Sequence, residues 1–101
     1  MYVVEMRFIH NRPGIAPPLE VVGASLRRQS GRYECRIEHL KVLRVDDHVH
    51  VVSFTVADSQ QQAGAWGRRV GQAVAADLPN TWFFGYRVWP ERVFRSTDPG
   101  H

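Results

Sequence analysis

Apolar and polar residues alternate over the first ten residues of the chain, as they do in a strand with one buried face. Val4, Met6 and Phe8 fall on one side, and Val3, Glu5, Arg7 and Ile9 fall on the other. The pattern predicts a strand over residues 2–10. A Pro-Gly turn after it ends the strand.

A helical spacing follows the first strand. Leu19, Val22 and Leu26 recur every three or four residues after a Pro-Pro pair, and Gly31 stands where a helix would end. These positions predict a first helix with one apolar face.

The second helix has the clearest signals in the chain. Ser59 and Gln62 form a capping-box pattern, and Pro79 lies just beyond the predicted end. The apolar positions at helical spacing are Ala63, Trp66, Val70, Val74 and Leu78. Three glycines, at positions 64, 67 and 71, share one stripe of this helix and indicate close packing against a neighbour.

Three further strands complete the pattern. Residues 33–45 and 48–57 read as strands joined at Asp46-Asp47 in an extended hairpin, and residues 81–89 read as an aromatic strand. The order βαββαβ is typical of the ferredoxin-like α+β sandwich, in which two helices cover one face of a four-stranded antiparallel sheet. We expect residues 1–90 to form a single domain, with the first and third strands at the centre, and residues 91–101 to form a tail.

Composition limits the class of protein. The chain has 101 residues, of which 44% are hydrophobic and 23% charged, and it has no apolar run long enough to span a bilayer. No secretory signal pattern precedes the first strand, so we expect a cytoplasmic protein without membrane association. The single cysteine, Cys35, excludes an internal disulfide. The net charge of +3 arises mainly from arginine and permits an anionic partner.

The alternation assigns each strand residue to one face of the sheet. The apolar-rich set on each strand is expected beneath the helices: Val4, Met6, Phe8, Cys35, Ile37, Val52, Phe54, Val56, Trp82, Phe84, Tyr86 and Val88. The uncovered face then still receives many apolar residues, which favours an interface. The predicted interface residues are Val3, Ile9, Leu40, Val42, Val49, Val51, Phe83, Arg87 and Trp89.

Chemical motifs are sparse. His48 and His50 lie two residues apart on one strand, as metal ligands can, but no third ligand is predicted beside them, and His10 is expected near Val56 at the far end of that strand. Neither a nucleophile motif nor a phosphate-binding glycine loop occurs. We therefore predict no catalytic residue, no metal and no cofactor.

These patterns favour a small non-catalytic binding or accessory protein that forms a homodimer through the uncovered sheet face. A different protein is the alternative partner for the same face. The strand and helix order over residues 2–89 also resembles the dimeric α+β barrel enzymes. That resemblance implies a monooxygenase- or cyclase-like activity on a small hydrophobic substrate. The candidate pocket residues are then His39, His50, Trp66, Trp82 and Tyr86. A third hypothesis is weak nucleic-acid binding through the helix arginines, and it is disfavoured because the central strands are predicted to lack aromatic residues on the uncovered face.

Overall fold

A computed structural model describes residues 1–10 and 17–91 of the chain. Its elements are β1 (Tyr2–His10), α1 (Leu19–Ser30), β2 (Arg36–Val45), β3 (His48–Val56), α2 (Gln60–Asp77) and β4 (Thr81–Pro90). The strands form one antiparallel sheet in the order β2-β3-β1-β4. This arrangement confirms the predicted ferredoxin-like α+β fold, with β1 and β3 at the centre. The predicted C-terminal tail lies, from residue 92 onward, outside the described residues.

Local signals explain where the helices begin and end. The Ser59 hydroxyl accepts a hydrogen bond from the backbone N–H of Gln62 at 3.0 Å, which satisfies one free donor at the start of α2. The Gln62 side chain accepts from the backbone N–H of Asp58 at 2.6 Å. The capping pattern predicted for this helix is therefore confirmed. Neither helix has the length and apolar content of a membrane span, as far as the described ranges go.

The helices are tied to one another near the end of α2. Ser25 on α1 donates to the Asp77 carboxylate at 2.7 Å, and Arg28 forms an ion pair with the same carboxylate. The hydrogen bond from Ser25, followed by that from Arg28, holds the pKa of Asp77 below its ordinary value. These contacts fix the two helices side by side over the sheet.

The hairpin is an integral part of the sheet. Asp46 adopts a left-handed backbone conformation (φ 53°), which lets the two-residue connection turn tightly. Val42 pairs with Val51 and Leu43 with His50, as the turn position predicts. Residues 48–55 of β3 all pair with β1 as well, so the hairpin does not project beyond the sheet as a free arm.

The core lies between the sheet and the helices. Its buried members are Val4, Met6, Phe8, Val22, Leu26, Cys35, Val49, Val51, Ala63, Trp66, Val70, Val74 and Leu78. The face predicted for β3 is therefore wrong: Val49 and Val51 are fully buried in the core, and Val52, Phe54 and Val56 lie on the other side.

The reversal on β3 buries a pair of hydroxyl groups beneath the helices. Ser53 and Thr55 are fully buried on the helix side, where their hydroxyl groups hydrogen-bond to each other at 2.7 Å. This bond offsets part of the cost of burying polar groups. The register leaves no alternative, because Met6 pairs with Val51 and paired residues in an antiparallel sheet share a face.

Two irregularities change the alternation on the edge strands. The β2 register shifts between Ile37 and His39, and the β4 register skips Phe84 opposite β1. Strict alternation therefore fails across each shift. If the residues before the shift are placed on the correct face, alternation places those after it on the wrong one. The prediction that Trp82 and Phe84 are core residues is therefore wrong, because each is 60% exposed.

Candidate binding face

The sheet surface opposite the helices, called the open face below, consists of four-residue rows that cross β2, β3, β1 and β4. From the hairpin end, the rows are Val45, His48, Ile9 and Trp82; Leu43, His50, Arg7 and Gly85; Lys41, Val52, Glu5 and Arg87; and His39, Phe54, Val3 and Trp89. Paired residues in antiparallel strands project to the same side, so the register alone defines this surface.

The hairpin end of the open face exposes large apolar side chains. Trp82 and Phe84 are each 60% exposed on one edge strand, and Val45 and Leu43 are 47% and 42% exposed on the other. The ring of His48 lies between these edges, 6.1 Å from the ring of Phe84 between centroids. The exposed apolar groups of this end thus line its two edge strands, with the half-buried His48 and Ile9 between them.

The opposite end is also aromatic but better covered. The rings of His39 and Phe54 are 5.9 Å apart between centroids. Val3, which pairs with Phe54 on one side and Trp89 on the other, is fully buried although no helix lies over it. Large neighbouring side chains therefore shield this part of the open face.

A charged band separates the two apolar ends. Arg7, Lys41 and Arg87 carry its positive charge, and none of them forms an ion pair with a described acidic residue. Glu5, next to Arg7 on the same face of β1, accepts a hydrogen bond from the Trp89 indole at 3.0 Å. The band thus places both signs of charge at the centre of the face.

The structure divides the predicted interface residues between the two faces. Val3, Ile9, Arg87 and Trp89 lie on the open face, as predicted. Leu40, Val42, Val49, Val51 and Phe83 lie under the helices and are corrected to the core side. Phe83 packs against Phe8, with ring centroids 5.6 Å apart.

The five candidate pocket residues do not come together. His39, His50 and Trp82 lie on the open face, whereas Trp66 and Tyr86 lie on the helix side of the sheet. The prediction of one pocket formed by these five residues is therefore wrong, because the strand faces were assigned incorrectly.

Several open-face residues were missed by sequence reasoning. Trp82, Phe54, Phe84 and Leu43 are the largest of them. One signal in the sequence points to Phe84: a glycine follows it inside an aromatic strand, and an isolated glycine in a strand often marks a bulge.

The position of His10 was also predicted wrongly. Strands β1 and β3 are antiparallel, so His10 lies at the same end of the sheet as His48.

The four described histidines, His10, His39, His48 and His50, do not assemble a metal centre. Within residues 1–10 and 17–91, no group of three or more His, Cys, Asp or Glu side chains is placed to hold a metal ion. His10 is buried on the helix side, and burial, followed by the positive charge of Arg44, lowers its pKa.

A cavity lies on the helix side, between the first half of α2 and the segment that enters β2. Its volume is about 270 Å³, and it is lined mainly by Arg32, Tyr33, Glu34, Cys35, Trp66 and Arg69. Burial, followed by the nearby carboxylates of Glu34 and Asp58, raises the pKa of the Cys35 thiol. The thiol is therefore a neutral part of the wall and a poor nucleophile.

Comparisons with known proteins add little to this geometry. The chain matches no protein-family model, and no curated protein is significantly similar to it. A crystal structure of an unknown protein from Galdieria sulphuraria is similar over 87% of this chain, with 12% sequence identity and a TM-score of 0.41. The chain spans 43% of the length of that protein.

Proposed function

We propose that the protein is a small non-catalytic binding protein that self-associates through its open face into a two-fold dimer. The observation that carries this proposal is the exposure of Trp82, Phe84, Leu43 and Val45 at the hairpin end of that face. Extended apolar and aromatic surfaces of this kind are uncommon on monomers and frequent in protein interfaces.

The size of the face suits a stable interface. Four strands at ~4.8 Å spacing and about nine residues of ~3.3 Å each define roughly 500–600 Å² in projection, and side-chain relief adds to this area. A standard interface buries roughly 800 Å² on each partner. The open face is thus of the right order to hold two copies together.

The charge pattern at the centre favours a second copy of the chain. Glu5 and Arg7 are separated by two positions on the central strand β1 and share the open face. If a two-fold axis passes near Met6, Glu5 of each copy meets Arg7 of the other. An isologous interface requires this kind of self-complementarity.

The enzyme hypothesis has less support from the geometry. A dimeric α+β barrel enzyme would need an enclosed cavity with a group for proton transfer. His39 and His50, the candidates for that role, line neither the helix-side cavity beside Trp66 nor the two depressions beside Tyr86 and Arg87 on β4. The candidate substrate pocket is therefore not formed by the predicted residues.

Nucleic-acid binding gains one argument and loses another. Phe54 does lie on the open face of a central strand, so the predicted lack of aromatic residues there is wrong. However, the two most exposed aromatic residues of the face, Trp82 and Phe84, lie on the edge strand β4 and not on the central strands, where RNA-recognition modules stack bases. Arg28, one of the helix arginines, is engaged by Asp77.

The test is the molar mass in solution, measured by size-exclusion chromatography with light scattering. Leu43→Asp and Val21→Asp are matched variants, since both side chains are 42% exposed but only Leu43 lies on the open face. We expect the wild type at twice the monomer mass of 11.6 kDa, with Val21→Asp the same. Leu43→Asp should dissociate, because two buried unpaired carboxylates would raise the dissociation constant by a factor of about 100 or more.

Two results would overturn the proposal. One is a monomeric wild type at all concentrations up to several hundred micromolar. The other is a dimer that Leu43→Asp leaves intact, which would place the interface elsewhere. Salt-sensitive binding of a single-stranded oligonucleotide by a monomeric wild type would favour the nucleic-acid hypothesis instead.

A further inference from the structure

The outer edge of β4, called the β4 edge below, carries backbone groups that have no strand beside them. In the sheet order β2-β3-β1-β4, β4 pairs with β1 on one side only. Within residues 1–10 and 17–91, the backbone of residues 81–90 forms no backbone hydrogen bond to an element other than β1. The outward-facing N–H and C=O groups of this strand are therefore a template for a further strand.

The two edge strands of the sheet differ in how well they resist such pairing. β2 carries four Lys, Arg or Glu residues among its ten, and charged side chains on an edge strand discourage the addition of another strand. β4 carries one charged residue, Arg87, among its ten. The bulge at Phe84 and Gly85 interrupts β4, so the regular stretch that remains for pairing is residues 85–89.

A groove runs along this stretch on the helix side, between β4 and the first half of α2. Its volume is about 710 Å³, and it is lined mainly by Gly64, Ala65 and Arg68 on α2 and by Tyr86 and Val88 on β4. Tyr86 is 41% exposed here, and a dimer formed through the open face would not cover it. Because the side chains of a strand alternate between the two faces of a sheet, every second side chain of an added strand would enter this groove.

The charge of the groove indicates the kind of strand that fits it. Arg68 and Arg87 are the charged residues of its lining, and neither forms an ion pair with a described acidic residue. Arg68 has no acidic residue within four positions along α2. Glu5, which pairs with Arg87, lies on the open face and accepts a hydrogen bond from Trp89. β4 itself contains no acidic residue, so the same edge of a second copy would bring a further arginine to this place and not a carboxylate.

We propose that the β4 edge, over residues 85–89, binds an extended acidic peptide segment of another protein as a fifth strand of the sheet. Backbone hydrogen bonds to β4 hold the peptide, and alternate side chains enter the groove. An apolar side chain there packs on Tyr86 or Val88, and a carboxylate two positions along the peptide accepts hydrogen bonds from Arg68. The proposal does not depend on the dimer, because the edge and the groove lie outside the open face.

The test uses the peptide acetyl-Thr-Val-Thr-Glu-Thr-Val-Thr-amide as the probe and follows the backbone amide signals of the protein by NMR. We expect the peptide to shift the signals of residues 85–89 saturably and to slow hydrogen exchange at the outward-facing amides. Two N-methylated versions are the matched probes, one methylated at Val and Glu and the other at Thr. Alternate residues of a strand direct their backbone groups to opposite edges, so one version should keep binding and the other should lose it.

Two arginine variants localise the binding. Arg68→Gln should weaken peptide binding about tenfold, as should glutamine in place of the peptide glutamate. Arg69→Gln, at the neighbouring exposed arginine that does not line the groove, should leave it unchanged. The proposal is overturned by unshifted β4 signals at millimolar peptide, by equal binding of the two N-methylated versions, or by equal effects of the two variants. Protection of the β4 amides that rises with protein concentration in the absence of peptide would place a second copy at this edge and would overturn it too.

Discussion

Replacing Gly71 with alanine tests how tightly α2 packs on the sheet. A Cβ at this position would overlap the Phe83 ring, with Cζ at 2.5 Å and Cδ1 at 2.6 Å. The ring has little room to move, because Phe8 lies 5.6 Å away and Tyr86 stacks on it at 6.4 Å, between centroids. The helix or the ring must therefore shift to admit the methyl group.

Two opposing effects set the magnitude. Alanine is favoured over glycine within a helix by up to about 1 kcal/mol. Overpacking a closely fitted core costs about 1–3 kcal/mol. We therefore expect Gly71→Ala to lower the free energy of unfolding by roughly 1 kcal/mol, which corresponds to a decrease of about 4–8 °C in Tm for a domain of this size.

Gly64 provides the matched control on the same helix. A Cβ there would meet Tyr86 and Val88 at 3.6 Å, which is ordinary van der Waals contact. Gly64→Ala should therefore raise the free energy of unfolding by about 0.5–1 kcal/mol through helix propensity alone. The measurement is urea unfolding followed by circular dichroism at one fixed protein concentration. The packing argument fails if Gly71→Ala is as stable as the wild type, or if both substitutions shift the midpoint in the same direction.

Three further predictions address the charges and the thiol. Glu5→Arg and Arg7→Glu should each weaken the proposed dimer, and the double variant should regain affinity, as measured by analytical ultracentrifugation. A double variant that dimerises more weakly than either single variant would exclude this pairing. The folded-state pKa of Asp77 is lowered, so its stabilising effect is present above the ordinary carboxyl pKa and is lost as the pH falls through the lowered value. Asp77→Asn should accordingly flatten the acid side of a plot of urea midpoint against pH, and an unchanged slope would count against this role. Cys35 should react with a thiol reagent far more slowly in the native protein than in urea, because its pKa is raised and its side chain is buried; equal rates at pH 8 would contradict the burial.

Much of the architecture could be predicted from local pattern. The capping residues Ser59 and Gln62 and the turn at Asp46-Asp47 act through short-range hydrogen bonds and backbone angles, so the sequence around them is sufficient. Once the turn is placed, the pairing of β2 with β3 follows by counting from it as far as His39, as the pairing of Val42 with Val51 shows. The glycine stripe of α2 likewise indicated the close packing that Gly71 makes with Phe83.

The composition of the open face could not be predicted in the same way. On β3, both alternating sets are apolar enough to form a core, and the set containing Phe54 has the larger side chains. The other set is the buried one although it includes Ser53 and Thr55, and the hydrogen bond between their hydroxyl groups lowers the cost of that burial in a way that composition does not reveal. The face of β3 then follows from pairing with β1, which is a long-range property of the fold.

The bulge in β4 decides which aromatic residues are exposed. With strict alternation and Phe83 under the helices, Arg87 would be directed into the core and Tyr86 away from it. The extra residue at the bulge reverses the second half of the strand, so that Tyr86 packs beside Gly64 and Arg87 reaches the open face. Gly85 has φ 157°, a conformation that other residues rarely adopt, while a Cβ there would meet nothing within 4 Å. The constraint at this position is therefore conformational rather than steric, and the open face owes its aromatic edge to a backbone angle that the hydrophobic pattern does not encode.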